Sequence, residues 1–403
     1  MSDAGRQVEC RCEPDPECVL DEGRCTRLDL IFDQEPQPPP LPRSTHVAAR
    51  VLFAVGSWGL GHATRDLPLI RGLLEAGCSV TILASGGSLA LLRAELGDRC
   101  EVVEFPGMRV PLGRTPFRFY FKYTVTLPVI WWDTFRQHVD LEALLRTNRF
   151  DVLVSDNRYA AWSRKLPSYL IAHGLRFIAP GRNHVLELGL ERFNARAFAP
   201  YTRILVPDFE RDDLSGDLSH GLRFYAPQQI RYLGVLSSVP RTDVPADLDA
   251  FISISGPEPQ RTILERTVLT QLAGAPGRGL VALGRPGMAH HGQVNGWEIA
   301  GYLGRSEQAE AMNRCRLAVI RAGYSTIMEL AETGKPALLI PTPGQTEQEY
   351  VAGYLRDRGH HFMAEQGTLD LPAAVQSDLP PKPYQPPHLT ATSVARFLEE
   401  VLG

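Results

Sequence analysis

The chain has 403 residues, more than the ~250–300 at which a single hydrophobic core stops growing, so at least two domains are expected. Hydrophobic residues at 44% and charged residues at 22% lie near globular averages, which excludes a disordered, collagenous or coiled-coil chain. Lys and Arg number 42 against 46 Asp and Glu, a formal net charge of −4; no global positive field exists and nucleic acid is not an expected partner.

Residues 1–46 carry Cys10, Cys12, Cys18 and Cys25 among acidic residues, then Pro36, Pro38, Pro39, Pro40 and Pro42. The cysteine spacing matches no common zinc ligand set, so the segment reads as a disordered appendage with a stiff polyproline linker. It contains no apolar signal core, and no later run reaches the ~18 apolar residues of a spanning helix, so the expected location is the cytoplasm. Cys78, Cys100 and Cys315 lie in apolar surroundings and read as buried thiols.

Strand and helix alternate from Ala48 onward. An apolar run at 50–55 ends at Gly56. Residues 65–76 then place Leu67, Ile70, Leu73 and Leu74 on one helical face before a second strand at 79–84, which makes a βαβ unit. Uninterrupted apolar runs at 151–155 and 203–206 supply further strands buried on both faces. A first domain over 47–233 is followed by a Pro- and Ser-bearing linker at 234–249. Strands at 251–255, 280–283, 317–320 and 337–340 then alternate with helices at 262–272, 306–315, 326–333 and 346–356, giving a second domain over 250–388 and a closing helix within 389–403. The fold class is α/β, with two Rossmann-like doubly wound domains facing each other across a cleft.

Three segments carry chemistry. Between the first strand and helix, Gly56-Ser57-Trp58-Gly59-Leu60-Gly61-His62 lets a ligand approach the backbone, with Gly59 and Gly61 on the acceptor side. A dinucleotide site would want an acid at the end of strand two, where the chain has Ala84-Ser85-Gly86-Gly87. His62, at the helix entrance, can take a proton from a hydroxyl near neutral pH, or it can simply hydrogen-bond the turn. In Ser253-Ile254-Ser255-Gly256-Pro257-Glu258-Pro259-Gln260-Arg261, backbone amides and Arg261 could take a phosphate, or the segment is an ordinary strand-to-helix loop. In Arg321-Ala322-Gly323-Tyr324-Ser325-Thr326-Ile327-Met328-Glu329, a helix start can hold a pyrophosphate and Glu329 both hydroxyls of a ribose. Thr326-x-x-Glu329 and Thr346-x-x-Glu349 are equally the spacing of capping boxes.

Together these segments resemble the glycosyltransferases of the GT-B fold, in the branch of the peptidoglycan N-acetylglucosaminyltransferase and the monogalactosyl-diacylglycerol synthases. The likeness runs from about Ala48 to the C-terminus, is strongest over 317–354, and is nearer still to an uncharacterised prokaryotic subgroup. It implies a metal-independent, inverting transferase that moves a hexose or N-acetylhexosamine from a UDP-sugar, a co-substrate rather than a cofactor, to a hydroxyl acceptor. In that branch the turn at Gly323, Tyr324, Ser325 and Thr326 binds the pyrophosphate and Glu329 the ribose. Gln348 and Glu349, with Gln345 before them, meet the sugar, and the backbone at Leu303 meets the uracil. Ser255, Gly256, Gln260, Arg261 and Arg321 complete the donor set. His62 is the implied base, and Asp156 either orients it or caps the turn at Asn157. The peptidoglycan enzyme has two adjacent glutamines where this chain has Gln348-Glu349, so the sugar does not carry across.

On the acceptor side, Arg109, Arg114, Arg118 and Lys122 interleave with Phe117, Phe119, Tyr120, Phe121 and Tyr123 ahead of Trp131 and Trp132. This is either a surface resting on the inner face of an anionic membrane to admit a lipid acceptor or an aromatic core. Asp247-Leu248-Asp249 reads as surface charge, and His290-His291 and His360-His361 as loop residues. The other readings are a nucleotide-sugar epimerase of the same fold and a non-catalytic sugar-nucleotide-binding protein.

Overall fold

The computed structural model describes residues 49–56, 59–107, 116–285, 287–288, 290–378 and 389–403; the cysteine-rich segment lies outside them. The first sheet has seven parallel strands in the order β3-β2-β1-β4-β5-β6-β7: β1 (Arg50–Ala54), β2 (Ser79–Ala84), β3 (Glu101–Glu104), β4 (Val152–Asp156), β5 (Ser168–Ile171), β6 (Arg203–Val206) and β7 (Ile230–Tyr232). β1 and β4 are central and pair Phe53 with Val154; both are apolar on both faces because helices cover both sides. The strand order reverses between them, so the C-terminal ends of β1 and β4 open a crevice.

Helices α1 (Leu60–Glu75), α2 (Gly86–Leu96), α3 (Pro116–Thr147) and α4 (His184–Phe198) connect these strands. The basic aromatic stretch falls within α3, 32 residues long. One face of α3 buries Ile130 and Leu141, while Val129, Trp132, Phe135 and Val139 stand exposed. The side chains of residues 116–128 and of Trp131 lie outside the described residues.

The second sheet has the order β10-β11-β9-β8-β12-β13-β14, with β8 (Leu248–Ser253), β9 (Gly279–Ala282), β10 (His290–Val294), β11 (Trp297–Ala300), β12 (Cys315–Ile320), β13 (Ala337–Leu339) and β14 (Phe362–Met363). All pairs are parallel except β10 with β11. Its helices are α5 (Gln260–Leu272), α6 (Arg305–Arg314), α7 (Tyr324–Thr333), α8 (Thr346–Asp357) and α9 (Leu371–Gln376). Its reversal falls between β8 and β12, which brings the starts of α5 and α7 to one crevice. β8 begins before the apolar run because Leu248 pairs with Cys315.

The last helix, α10 (Leu389–Leu402), returns to the first half. It lies against α1 at Gly72, where an added Cβ would come within 2.6 Å of Val394. Glu400 pairs with Arg203 and Arg231, and Thr390 bonds Glu332 of α7, so α10 ties the two sheets together. Phe397 is fully buried at its centre. Phe397→Ala is expected to cost about 3–5 kcal/mol of stability, read as a fall in the urea midpoint.

Candidate functional site

The site begins where β1 runs into α1. Gly56 has no side chain, and a Cβ there would lie 3.0 Å from both the His62 ring and the Asp156 carbonyl. Gly59 starts α1 with φ 80°, a conformation that favours glycine. Ser57 and Trp58 lie outside the described residues. His62, in the first turn, places Nδ1 2.8 Å from Asp156 Oδ2 at the end of β4. With Nδ1–H donated to the carboxylate, Nε2 is left as an acceptor.

Asp156 does not serve the turn at Asn157, which is held instead by its own N–H bond to the Ile171 carbonyl. Its carboxylate takes Arg65 as well as His62: Arg65 Nε lies 3.2 Å from Oδ2, and Nη2 bonds Oδ1. Burial opposes charge on Asp156, yet the Arg65 guanidinium and then His62 hold it well below the usual carboxylate range. Arg65 Nη1 lies 3.3 Å from His173 Nδ1, and His173 Nε2 lies 3.2 Å from Glu347 Oε1 on α8. The His173 ring stacks on Tyr324 with centroids 4.1 Å apart, and the Tyr324 hydroxyl donates to the Pro207 carbonyl. One polar chain therefore joins the first turn of α1 to the first turns of α7 and α8. Sequence reasoning missed Arg65, His173 and Glu347. The i, i+3 spacing from His62 could have flagged Arg65, but no local pattern marks His173.

The two helix starts nearly touch: a Cβ on Gly61 would lie 2.7 Å from Ser325 Oγ. α7 begins at Tyr324 after Gly323, and no side chain caps it. The capping box read at Thr326-x-x-Glu329 does not form, because both residues lie inside the helix, and among the described residues no side chain accepts from the amides of Tyr324, Ser325 and Thr326. The Glu329 carboxylate accepts no hydrogen bond among the described residues, while its backbone carbonyl takes the Thr333 hydroxyl. Burial raises its carboxyl to about 7, with Arg305 pulling the other way.

The two arginines read as phosphate ligands, Arg321 and Arg261, are bonded within the chain. Arg321 is buried with its five N–H donors on the carbonyls of Ser255, Ile340, Pro341 and Gln260 and on Gln366 Oε1, so it holds the ends of β8 and β13 together. Arg261 spans Glu258 and Glu265, and Glu258 also accepts from the Thr262 amide at the start of α5. Gly256 takes φ 105° in this loop, and Gln260 is bonded by Gln366.

At α8, Gln348 Oε1 accepts from the Thr342 amide and Glu349 Oε1 from the Gly344 amide, so both residues also brace their own loop beside Gln345, the residue before the helix. The Thr346 hydroxyl does not close a capping box; it donates to the Ile178 carbonyl across the junction. A cavity of about 600 Å3 opens there between Ile178–Arg182 and the Glu349 and Tyr350 face of α8. The Leu303 carbonyl accepts from Gln308 at the start of α6.

Arg109 and Arg114 lie outside the described residues, as do the side chains of Arg118, Lys122, His290 and His291. His361 is buried rather than on a loop surface, and burial pushes it down to about 3. Asp247 pairs with Arg314, which holds it down to about 2 through their hydrogen bonds. Asp208, Asp213 and His220 are close enough to share a metal. Their atoms are nevertheless taken by the chain's own donors and acceptors, among them the amides of Leu214, Ser215 and Gly216, the Tyr354 hydroxyl and the Phe209 carbonyl.

Residues 296–399 match the glycosyltransferase family 28 C-terminal domain. An uncharacterized glycosyltransferase of Methanosarcina acetivorans is 25% identical over 341 residues, covering 79% of this chain and 86% of that protein. A UDP-N-acetylglucosamine--N-acetylmuramyl-(pentapeptide) pyrophosphoryl-undecaprenol N-acetylglucosamine transferase of Acidiphilium cryptum is 33% identical over 97 residues, 24% of this chain and 26% of that protein. Among solved structures, the glycotransferase of kitacinnamycin aligns with a TM-score of 0.59 at 17% identity, over 88% of this chain and 95% of its own. MurG of Acinetobacter baumannii aligns with a TM-score of 0.55 at 15% identity, over 87% of this chain and 100% of its own. These likenesses give the chain the GT-B fold of the glycosyltransferases, with residues 296–399 similar to the C-terminal domain of glycosyltransferase family 28.

Proposed function

We propose that the protein transfers a hexose or N-acetylhexosamine from a UDP-sugar to a hydroxyl acceptor, with inversion and without a metal. The observation that carries this reading is the uncapped start of α7, set against the His62-bearing start of α1, with the carboxylate of Glu329 in its second turn lacking any donor. A diphosphate matches the first feature, since the N–H groups there are unmatched and the helix dipole favours negative charge. A ribose matches the second, since its two hydroxyls are the donors that Glu329 lacks.

In this reading the acceptor O–H gives its proton to His62 Nε2 as its oxygen bonds the anomeric carbon from the face opposite UDP. The bond from that carbon to the β-phosphate oxygen breaks, and the electron pair leaves with UDP. Asp156 keeps the His62 tautomer and steadies the imidazolium. The amides and hydroxyls of Ser325 and Thr326 meet the charge that develops on the diphosphate. Gln348 and Glu349 each retain a second polar atom for sugar hydroxyls, and Gly59 and Gly61 keep the acceptor side open.

His62→Ala is expected to lower kcat/KM for UDP release, measured with UDP-glucose, UDP-galactose and UDP-N-acetylglucosamine in the presence of lipid extract, by about 10²–10⁴-fold. The Kd for UDP, measured by calorimetry, should change less than about twofold.

Glu329 supplies a pH test. Its carboxyl titrates at about 7 in the free protein. Ribose hydroxyls stabilise the ionised form, so bound UDP holds the group below that value. UDP affinity is therefore full above about pH 7 and falls toward tenfold per unit as the pH drops below it. UDP itself titrates in this range, so the quantity to read is the difference from Glu329→Gln, whose slope should be shallower and whose affinity at pH 8 should be lower. Equal slopes in the two proteins would remove Glu329 from the ribose.

A lipid acceptor and contact with an anionic membrane surface form part of the same reading. On α3, Val129, Trp132, Phe135 and Val139 follow one another at helical spacing and are exposed. No described helix is long and apolar enough to cross a membrane. Co-sedimentation with anionic vesicles is expected and should drop several-fold for Trp132→Ser/Phe135→Ser, whereas equal pelleting of the two proteins would count against this surface.

A further inference from the structure

Asp66 lies one turn beyond His62 on α1 and is fully buried; among the described residues no donor reaches either carboxylate oxygen, and the side chain it can bond is another carboxylate, Asp156, which requires a proton between them. A charged carboxylate in that state is much costlier than a neutral carboxyl. Two charged groups act on it, Arg65 on its own helix and Asp156 of β4. Beyond them stand His62, Tyr324 of α7, and His173 with Glu347 of α8. Each nitrogen of Arg65 is already directed elsewhere, Nε and Nη2 to Asp156 and Nη1 to His173, and none donates to Asp66. A second anion would therefore face Asp156 with its only cation already shared. Burial, and then the charge of Asp156, push the Asp66 carboxyl well above the ordinary range.

We propose that Asp66 stores a proton beside the His62–Asp156 pair and acts as its positioning residue. Neutral Asp66 leaves Asp156 the single anion opposite Arg65 and His62. Ionised Asp66, its proton lost to solvent, puts a second carboxylate beside the one guanidinium, which draws Arg65 off Asp156 and frees the carboxylate that orients His62. Only this second half rests on the reading of His62 as the base; the stored proton stands without it.

The group also costs stability, with a defined sign. An acid whose folded pKa is raised still holds its proton where the unfolded chain, titrating near about pH 4, has lost it. Its effect on stability is absent below that pH and grows more unfavourable as the pH rises toward the folded value. A buried acid with no donor that destabilises the fold calls for a reason other than packing, and its place behind the His62–Asp156 pair supplies one.

Asp66→Asn keeps the shape and cannot ionise. In the protein without substrate, the variant should lose an infrared carbonyl band of a protonated carboxylic acid. Its thermal midpoint should also gain on wild type progressively from about pH 5 to about pH 8. In UDP release with UDP-sugar and lipid extract, the alkaline limb of the wild-type kcat/KM profile should disappear while the acidic limb stays. If the variant does not fold, loss of the same band from wild type on alkaline titration takes its place. A missing band, or a midpoint difference that is flat with pH, overturns the stored proton. A present proton with an unmoved alkaline limb overturns the positioning role. Undiminished transfer by His62→Ala would sink the base reading alone and leave the two substrate-free measurements to decide Asp66.

Discussion

The polar chain that carries His62 to the second sheet is built on the buried contact between Arg65 and Asp156. Both side chains are almost wholly out of water, at 2% and 0% exposure. A pair in that position gains little net stability over a well-packed apolar pair, but leaving one member behind costs about 3–5 kcal/mol. Its return lies in geometry. Asp156 fixes which nitrogen of His62 carries the proton, and the third arm of Arg65 reaches His173, which faces Glu347 and stacks on Tyr324. The orientation of a ring on the first sheet is thereby coupled to the first turns of two helices on the second.

That coupling needs the halves to be held in register, and the register comes from elements far apart in sequence. Tyr324 bonds the Pro207 carbonyl, the Tyr350 hydroxyl accepts from the Asp217 amide, and Tyr354 donates to Asp213, so the loops after β6 grip α7 and α8 through tyrosine hydroxyls. On the far side α10 packs on α1 while bonding Glu332 of α7. Gly61 and Ser325 approach closely enough that glycine is the residue that fits there without displacing its neighbour. The helix starts are thus brought together by contacts outside the crevice.

Features set by local pattern were legible in the sequence. The inner strands announce themselves as largely apolar runs, and the bounds read for β2 and β6 match to the residue. A glycine-rich turn marks the strand-to-helix entrances that carry His62 and Ser325. Features set by tertiary partners were not. Edge strands such as β3 and β7 lack the doubly buried run, and β10 and β11 form by pairing rather than by propensity. Arg321 follows a strand toward a helix start, which suggests a phosphate ligand, and only the fold shows five acceptors closing around it. The reverse holds at Thr326 and Glu329, where a capping-box spacing is present but the helix begins too early to use it.

The same redistribution bears on how charge is met in the crevice. With Arg321 spread over backbone carbonyls and Arg261 bridging two glutamates, neither cation is available to an incoming anion unless existing bonds are broken. Negative charge arriving at α7 would meet uncapped N–H groups, whose dipoles are fixed by the helix and need no rearrangement when charge shifts from the sugar bond to the leaving oxygen. An arginine would attract the bound diphosphate as strongly as the departing one. Amides set at a fixed angle can favour the departing geometry over the bound one, and that difference is what lowers a barrier.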